Sequence, residues 1–445
     1  MQSMTMFCFR LILIATIALA GPAVDGDERA VAQAYDEFKT LLEQEDYQSA
    51  IPAGREVLRL AERSFGEDAE VLIRPVIDLA GAFRSAGLFG TAESYYQRGI
   101  SLIERAEGLY SPRLIEPLVG MGEAYLEAGR YDEAEDAFRR AQHVVHRKDG
   151  VISLEQIAVL DNLTDTYVSR GDIVDADREQ RLAYRVTVLK YGKDDPRIVP
   201  ATLKLAEWFR ETGQYPNAGI LYRSSVRVLE NAYGENDPSI IEPLRGLADA
   251  RGEHLRHLPP GVTERGVPVS EGRSALERVL AIVEQEPARN SDQELQALIE
   301  LGDWYTVMGK SRKALELYRR AWTLLDGFAN PDEMREQIFG SPVRLYYNPQ
   351  NLGGLLPSWK KFRYGEIYID VAFTVTEEGK TSQIELLESN SPVVIKMAVK
   401  KAVQQARYRP RFQEGDPVAT ERVSFRQVMP TNLQARDTAQ YPSFP

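Results

Sequence analysis

EAGRYDEAEDAFRRA, residues 127–141, decides the fold. Small residues stand at Gly129, Ala134 and Ala141, with an aromatic at Phe138. The same register recurs along the chain. SAGLFGTAESYY supplies Gly87 and Ala92, SRGDIVDADREQ supplies Gly171 and Ala176, and ETGQYPNAGILY supplies Gly213 and Ala218, each step being 42 residues. QEDYQSA puts Ala50 in register one step earlier, with Glu45 where the glycine would be, and VMGKSRKALELY adds Gly309 and Ala314. A repeat of this length signals stacked supersecondary units, none of which can bury its apolar face alone.

Each copy reads as a helix pair. Met121, Gly122 and Tyr125 of the first helix match Leu301, Gly302 and Tyr305, and also Leu79, Ala80 and Phe83. In the second helix Phe138 and Ala141 match Tyr318 and Ala321. Large residues alternating with small ones at spacings of three and four let antiparallel helices approach closely. The recurring glycine suits a helix end, where positive φ is needed. Pro75, Pro117 and Pro243 open first helices, where a missing N–H costs nothing, and YGKDDP and YGENDP have turn chemistry. The sixth unit is irregular: Ala275 follows Ala218 by 57 residues, so fifteen extra have entered near LPPGVTERGVPVSEG. Pro259-Pro260-Gly261 cannot continue a helix, which predicts a surface loop there.

The series Leu301-Gly302, Tyr305, Gly309, Ala314, Tyr318 and Ala321 resembles the tetratricopeptide repeat. The long period and YG.DDP connectors are similar to its kinesin-light-chain variety, over residues 28–325. The resemblance implies a mainly α fold, a TPR helical solenoid of about seven helix pairs, whose concave surface holds an extended peptide or a partner helix.

Near residue 326 the helical period stops, and DGFANPDEMREQIFGS (326–341) reads as a packed linker. EIYIDVAFTV then alternates, with Ile367, Ile369, Val371, Phe373 and Val375 facing one way, as a half-buried strand does. EEGK turns the chain into a second strand, TSQIELLES. Ser391-Pro392 reads as the cap and first residue of a helix, whose apolar stripe is Ile395, Ala398, Val399, Ala402, Val403 and Ala406. ATERVSFRQVM is a third strand, with Val423 and Phe425 on one face.

This order, with ESNSP before the helix and ARYRPRFQEGDPV after it, resembles the C-terminal domain of TonB, the periplasmic energy transducer, over residues 342–430. The resemblance implies a small α+β domain whose last strand captures a segment of an outer-membrane TonB-dependent receptor or other envelope protein. The edge so implied is Glu421, Arg422, Val423, Ser424, Phe425, Arg426, Gln427 and Val428. Strand addition there is sound physically, since unpaired backbone groups give affinity and alternate side chains give selectivity. Charges at Glu421, Arg422 and Arg426 are the opposing feature, because charge blunts an edge. TonB itself also keeps a membrane anchor and a Pro-rich spacer, for which this chain has a cleavable-looking leader and a helical array.

The leader is LILIATIALA, an apolar run ending in Ala18-Leu19-Ala20. It reads as a secretory signal over residues 1–20, cut before Gly21, which implies a periplasmic protein; if uncut it would anchor the chain in the inner membrane. Cys8, the single cysteine, lies inside it, leaving no thiol chemistry to the mature chain. A net charge of −12 without a long basic run argues against nucleic acid as a partner. Residues 431–445 read as a flexible tail.

The histidines form two HxxH pairs, His143/His146 and His254/His257. Residues three apart share a helix face and could offer two imidazoles to a metal, with Asp149 as the one obvious third ligand for the first pair. No G-x-S-x-G, P-loop or H-E-x-x-H occurs. The expectation is therefore a non-enzymatic adaptor with no catalytic residue, no cofactor and no committed metal ligand. An energy transducer and a metal-binding protein built on the HxxH pairs are the alternatives.

Overall fold

A computed structural model describes residues 26–257, 269–285, 290–349 and 367–429. The expected signal, the 258–268 part of the inserted loop and the expected tail lie outside them. The chain divides into two compact units, residues 1–192 and 193–445.

The first unit holds four helix pairs. They are α1 (Gly26–Glu43) with α2 (Tyr47–Phe65), α3 (Ile73–Ser85) with α4 (Phe89–Glu107), α5 (Ile115–Glu127) with α6 (Tyr131–Asp149), and α7 (Gln156–Arg170) with α8 (Ile173–Tyr191). The opening stretch spans the turn between α5 and α6. Ala134, Phe138 and Ala141 are wholly buried, and a Cβ added to Gly122 would lie 2.6 Å from the Phe138 ring. That glycine is required by close approach. Gly129 is required by backbone conformation instead, with φ of +73° at the helix end. Glu45, which replaces the glycine in the first pair, adopts φ of +57°, so the turn geometry persists even where the residue does not favour it.

Between neighbouring repeats, Arg74 reaches Glu116 at 2.8 Å and Arg84 reaches Glu127 at 2.7 Å. Such exposed pairs contribute at most about 1 kcal/mol each, so the apolar seam holds the array. Arg139 is better placed: it meets Glu179 at 2.6 Å, whose side chain is almost fully covered, and donates to Tyr167 at 3.1 Å.

The second unit holds three more pairs, α9 (Val199–Glu211) with α10 (Tyr215–Tyr233), α11 (Ile241–Arg256) with α12 (Val269–Gln285), and α13 (Ser291–Val307) with α14 (Ser311–Leu324). The repeats are thus a mainly helical array of about seven pairs. Of the inserted stretch, its last four residues, VSEG, belong to α12.

The segment expected as a linker carries a helix of its own, α15 (Pro331–Phe339), opened by Pro331 and anchored by the fully buried Phe339. After it come β1 (Val343–Tyr346), β2 (Ile367–Val375), β3 (Thr381–Ser389), α16 (Val393–Gln405), β4 (Arg407–Arg409), β5 (Arg411–Gln413), β6 (Asp416–Val418) and β7 (Thr420–Met429). β3, β2 and β7 form an antiparallel sheet in that order, β1 pairs with β4, and β5 with β6. The expected alternation holds: Ile369, Val371, Phe373 and Val375 form one core with Ile395, Val399 and Val403 of α16. Ser391 does not cap α16. Its hydroxyl donates to the Tyr368 carbonyl at 2.9 Å, tying the end of β3 to β2, and Pro392 takes the cap position without a side-chain bond.

This small domain is bolted to the last helix pair. Arg409 of β4 donates to both carboxylate oxygens of Asp303 in α13, at 2.9 and 2.7 Å, and to the Ile338 carbonyl at 3.1 Å. Phe412 of β5 packs among Tyr318, Trp322 and Phe339, with ring centroids 5.0–6.1 Å apart. Tyr318 gives its hydroxyl to Asp303 at 2.7 Å, and burial pushes its ionisation far above the ordinary phenol range, so it stays a donor.

Candidate functional site

A three-stranded sheet has two edges, and here they differ. The pairing of β3 with β2 slips twice, between Ile369 and Val371 and between Ala372 and Thr374. Each slip places an extra residue on β3, and Gln383 takes a φ of +51°. Bulges of this kind twist an edge and interrupt its row of backbone groups. β7 has one slip, at its beginning, where three steps from Val423 to Thr420 oppose two from Phe373 to Val375 and Arg422 has φ of +55°. From Val423 to Met429 it pairs with β2 without a break. No described strand pairs with the other side of β7.

The expected edge, Glu421 to Val428, falls on β7, an outer strand of the sheet among the described residues, but its eight residues are not equivalent. Glu421 and Arg422 are exposed and belong to the bulge. Val423 and Phe425 are half-buried and pack against the domain core. Gln427 shares their face: Tyr347 donates its hydroxyl to the Gln427 Oε1 at 3.1 Å and sets its ring edge-on to Phe425 at 5.2 Å. Burial holds the Tyr347 hydroxyl protonated well beyond its usual range, which keeps that bond in place. Ser424 and Arg426 are exposed on the opposite face, and Val428 is half-buried.

The charge that would most oppose docking is already satisfied. Arg426 donates Nε and Nη2 to the two oxygens of Asp370 across the ladder, at 2.8 and 2.7 Å, and lies 4.3 Å over the Tyr368 ring. Those hydrogen bonds hold the Asp370 carboxyl below its usual range. The guanidinium is thus pinned over the sheet face by Asp370 and Tyr368. Asp370, Tyr368 and Tyr347 escape sequence reasoning about the edge because they lie 56 to 80 residues from their partners. A strand register was the one available signal.

The histidine pairs have other engagements. His146 shares a hydrogen bond with Gln156 at 2.9 Å, and the His143 ring lies 5.7 Å from Tyr110. His254 and His257 stack on Tyr215, at 6.1 and 5.3 Å, and His257 Nδ1 lies 3.1 Å from its hydroxyl. Among the described residues no three His, Cys, Asp or Glu side chains gather where they could hold a metal ion. Among them, too, no helix is long and apolar enough to cross a membrane.

Comparison with known families agrees with this anatomy. The tetratricopeptide-repeat family matches residues 75–144, and the Gram-negative bacterial TonB protein C-terminal family matches residues 366–426. The chain is therefore a tetratricopeptide-repeat array joined to a TonB C-terminal domain. Solved structures similar to it include the kinesin-light-chain TPR-like repeats of Podosopora anserina, at 16% identity over 49% of this chain and 99% of that one, with a TM-score of 0.38. BtubC (BKLC) from P. vanneervenii is 17% identical over 54% of this chain and 91% of that one, TM-score 0.37. PilF of Pseudomonas aeruginosa is 15% identical over 61% and 98%, TM-score 0.33. No curated protein matches the chain. Both matched families are typically non-catalytic protein-binding modules, and the TonB C-terminal family implies a place in the cell envelope.

Proposed function

We propose that this protein is a periplasmic adaptor: its repeats hold one protein, and β7 takes an extended segment of a second, an envelope protein such as an outer-membrane receptor. The observation that carries the reading is the contrast between the two sheet edges. β3 is broken by two bulges, whereas β7 offers an uninterrupted run from Val423 to Met429 with its one central cation held on Asp370. A strand added there gains main-chain hydrogen bonds, and its side chains alternate between the faces of Phe425 and Arg426. A photo-crosslinking residue at Ser424, exposed on that strand, tests it in cells. Recovery of an envelope protein from Ser424 and not from the bulged β3 supports docking at β7; crosslinks from β3 alone would refute it.

Energy transduction is the second reading, favoured by the TonB C-terminal match at residues 366–426. Transduction needs a membrane anchor, so N-terminal sequencing of the envelope-localised protein separates the two. A mature start at Gly21 supports the adaptor, and retention of residues 1–20 supports the transducer.

A further inference from the structure

The sheet of the small domain has two faces of different chemistry. On one, Ile369, Val371, Phe373 and Val375 pack under Ile395, Val399 and Val403 of α16. The sheet's carboxylates lie on the other. Tyr368 and Asp370 alternate with the core residues of β2; Asp370 holds Arg426, and Glu388 accepts the Tyr368 hydroxyl at 2.9 Å. Glu385 is exposed between Ile384 and Leu386, which pack on the core. α16, VVIKMAVKKAVQQ, has no acidic residue and carries Lys396, Lys400 and Lys401. Among the described residues these lysines have no carboxylate partner, whereas Arg426, Lys380 and Arg409 of the same domain each have one.

The outward side of α16 is also apolar. Val393 is 70% exposed, Met397 69% and Val394 47%. Val393, Met397, Lys400 and Gln404 follow one another at spacings of four, three and four, so apolar side chains and lysine share one ridge. The helix already has a buried stripe that fills the domain core, so the fold has no use for a second. Such a ridge calls for a partner that takes apolar side chains and supplies negative charge. A second copy offering the same ridge would bring three more lysines and no carboxylate. An extended peptide is held in a groove or at a strand edge, and a lone helix lying on a sheet is convex. An anionic bilayer meets both demands, and the cell envelope implied by the TonB C-terminal match is bounded by bilayers.

We propose that α16 is a membrane-contact helix, which lays Val393, Val394 and Met397 into the headgroup region of an anionic bilayer while Lys396, Lys400 and Lys401 reach lipid phosphates. Lysine stems run along apolar surface and keep their ammonium groups at the polar level, which suits a ridge of this composition. Each lysine near such a surface strengthens binding about fivefold. The attraction fades within a Debye length of about 10 Å. The chain as a whole carries −12, so only the basic ridge is drawn to the bilayer and the contact has one orientation. α16 lies beside β3, across the sheet from β7, so this contact leaves the far side of β7 free. The proposal goes beyond the adaptor reading and does not depend on docking at β7.

The test is co-sedimentation of the full chain with vesicles of equal parts phosphatidylcholine and phosphatidylglycerol, against phosphatidylcholine alone. The expected result is binding to the anionic vesicles that falls about a hundredfold when Lys396→Gln, Lys400→Gln and Lys401→Gln are combined. Raising salt from about 0.1 to about 1 M, which shortens the Debye length from about 10 to about 3 Å, should produce a loss of similar size in wild type without any variant. Met397→Gln should weaken binding about tenfold and leave its salt dependence unchanged. Thermal melts confirm that the variants stay folded. Any affinity residues 1–20 have for lipid persists in every variant, so it does not imitate these losses. Equal sedimentation of wild type and the triple variant, or equal binding to the two kinds of vesicle, overturns the proposal. So does lysine-dependent binding of a capped acidic peptide, Glu-Leu-Leu-Glu-Glu-Leu-Leu, by a chain that ignores the vesicles, since that outcome assigns the ridge to a protein partner. The crosslink from Ser424 decides the adaptor reading separately.

Discussion

Replacing Arg409 with methionine should loosen the small domain from the last helix pair. The guanidinium makes three hydrogen bonds in the wild type, two to Asp303 and one to the Ile338 carbonyl, and Arg409 is only 9% exposed. Methionine fills a comparable volume but leaves Asp303 without its counter-charge and the carbonyl without its donor. Breaking a buried pair by removing one partner costs about 3–5 kcal/mol. The Asp303 side chain retains 23% exposure and the Tyr318 hydroxyl, which places the expected cost at the lower end, near 3 kcal/mol. That is about a hundredfold in the opening equilibrium. The assay is hydrogen exchange at the Tyr408 amide, which donates to the Gly379 carbonyl beside the junction, alongside urea unfolding followed by tryptophan fluorescence. Exchange should quicken about a hundredfold in Arg409→Met. Adding Asp303→Leu should recover most of the loss, because replacing both ions with apolar groups removes the stranded charge. A change below about 1 kcal/mol in the single variant, or a double variant no better than the single, would refute the reasoning.

Two further outcomes follow from the packing and the backbone. Gly122→Ala puts a Cβ 2.6 Å from the Phe138 ring, so urea unfolding should show a loss of about 1–3 kcal/mol; Gly302→Ala, 2.5 Å from Tyr318, should behave alike. Gly129→Ala meets no atom within 4 Å, and its cost of about 1 kcal/mol comes from the positive φ alone.

The repeats were legible because each fold determinant recurs at a fixed spacing. Gly122 and Phe138 meet in the third helix pair, and Gly302 and Tyr318 meet in the same way in the seventh. The period-two pattern of Ile369 to Val375 likewise names its strand from local sequence. What stayed hidden is non-local. Arg409 meets Asp303 over 106 positions, and nothing around either residue marks the pair. The short strands β1, β4, β5 and β6 span three or four residues each, too few to show a period. The 326–341 segment is rich in turn-forming residues at both ends, which masks α15 between them. On the candidate edge, sequence places the strand, but only pairing register reveals that Glu421 and Arg422 leave the ladder and that Asp370 restrains Arg426.

The claim that β7 takes an added strand is tested most directly by backbone hydrogen exchange over Val423–Val428. The full chain is measured with and without a peptide from whichever envelope protein the Ser424 crosslink identifies. Strand addition predicts slower exchange at alternate β7 amides, those facing away from β2, with β3 unchanged. Protection confined to β3, or no protection at β7 under saturating peptide, would contradict the account.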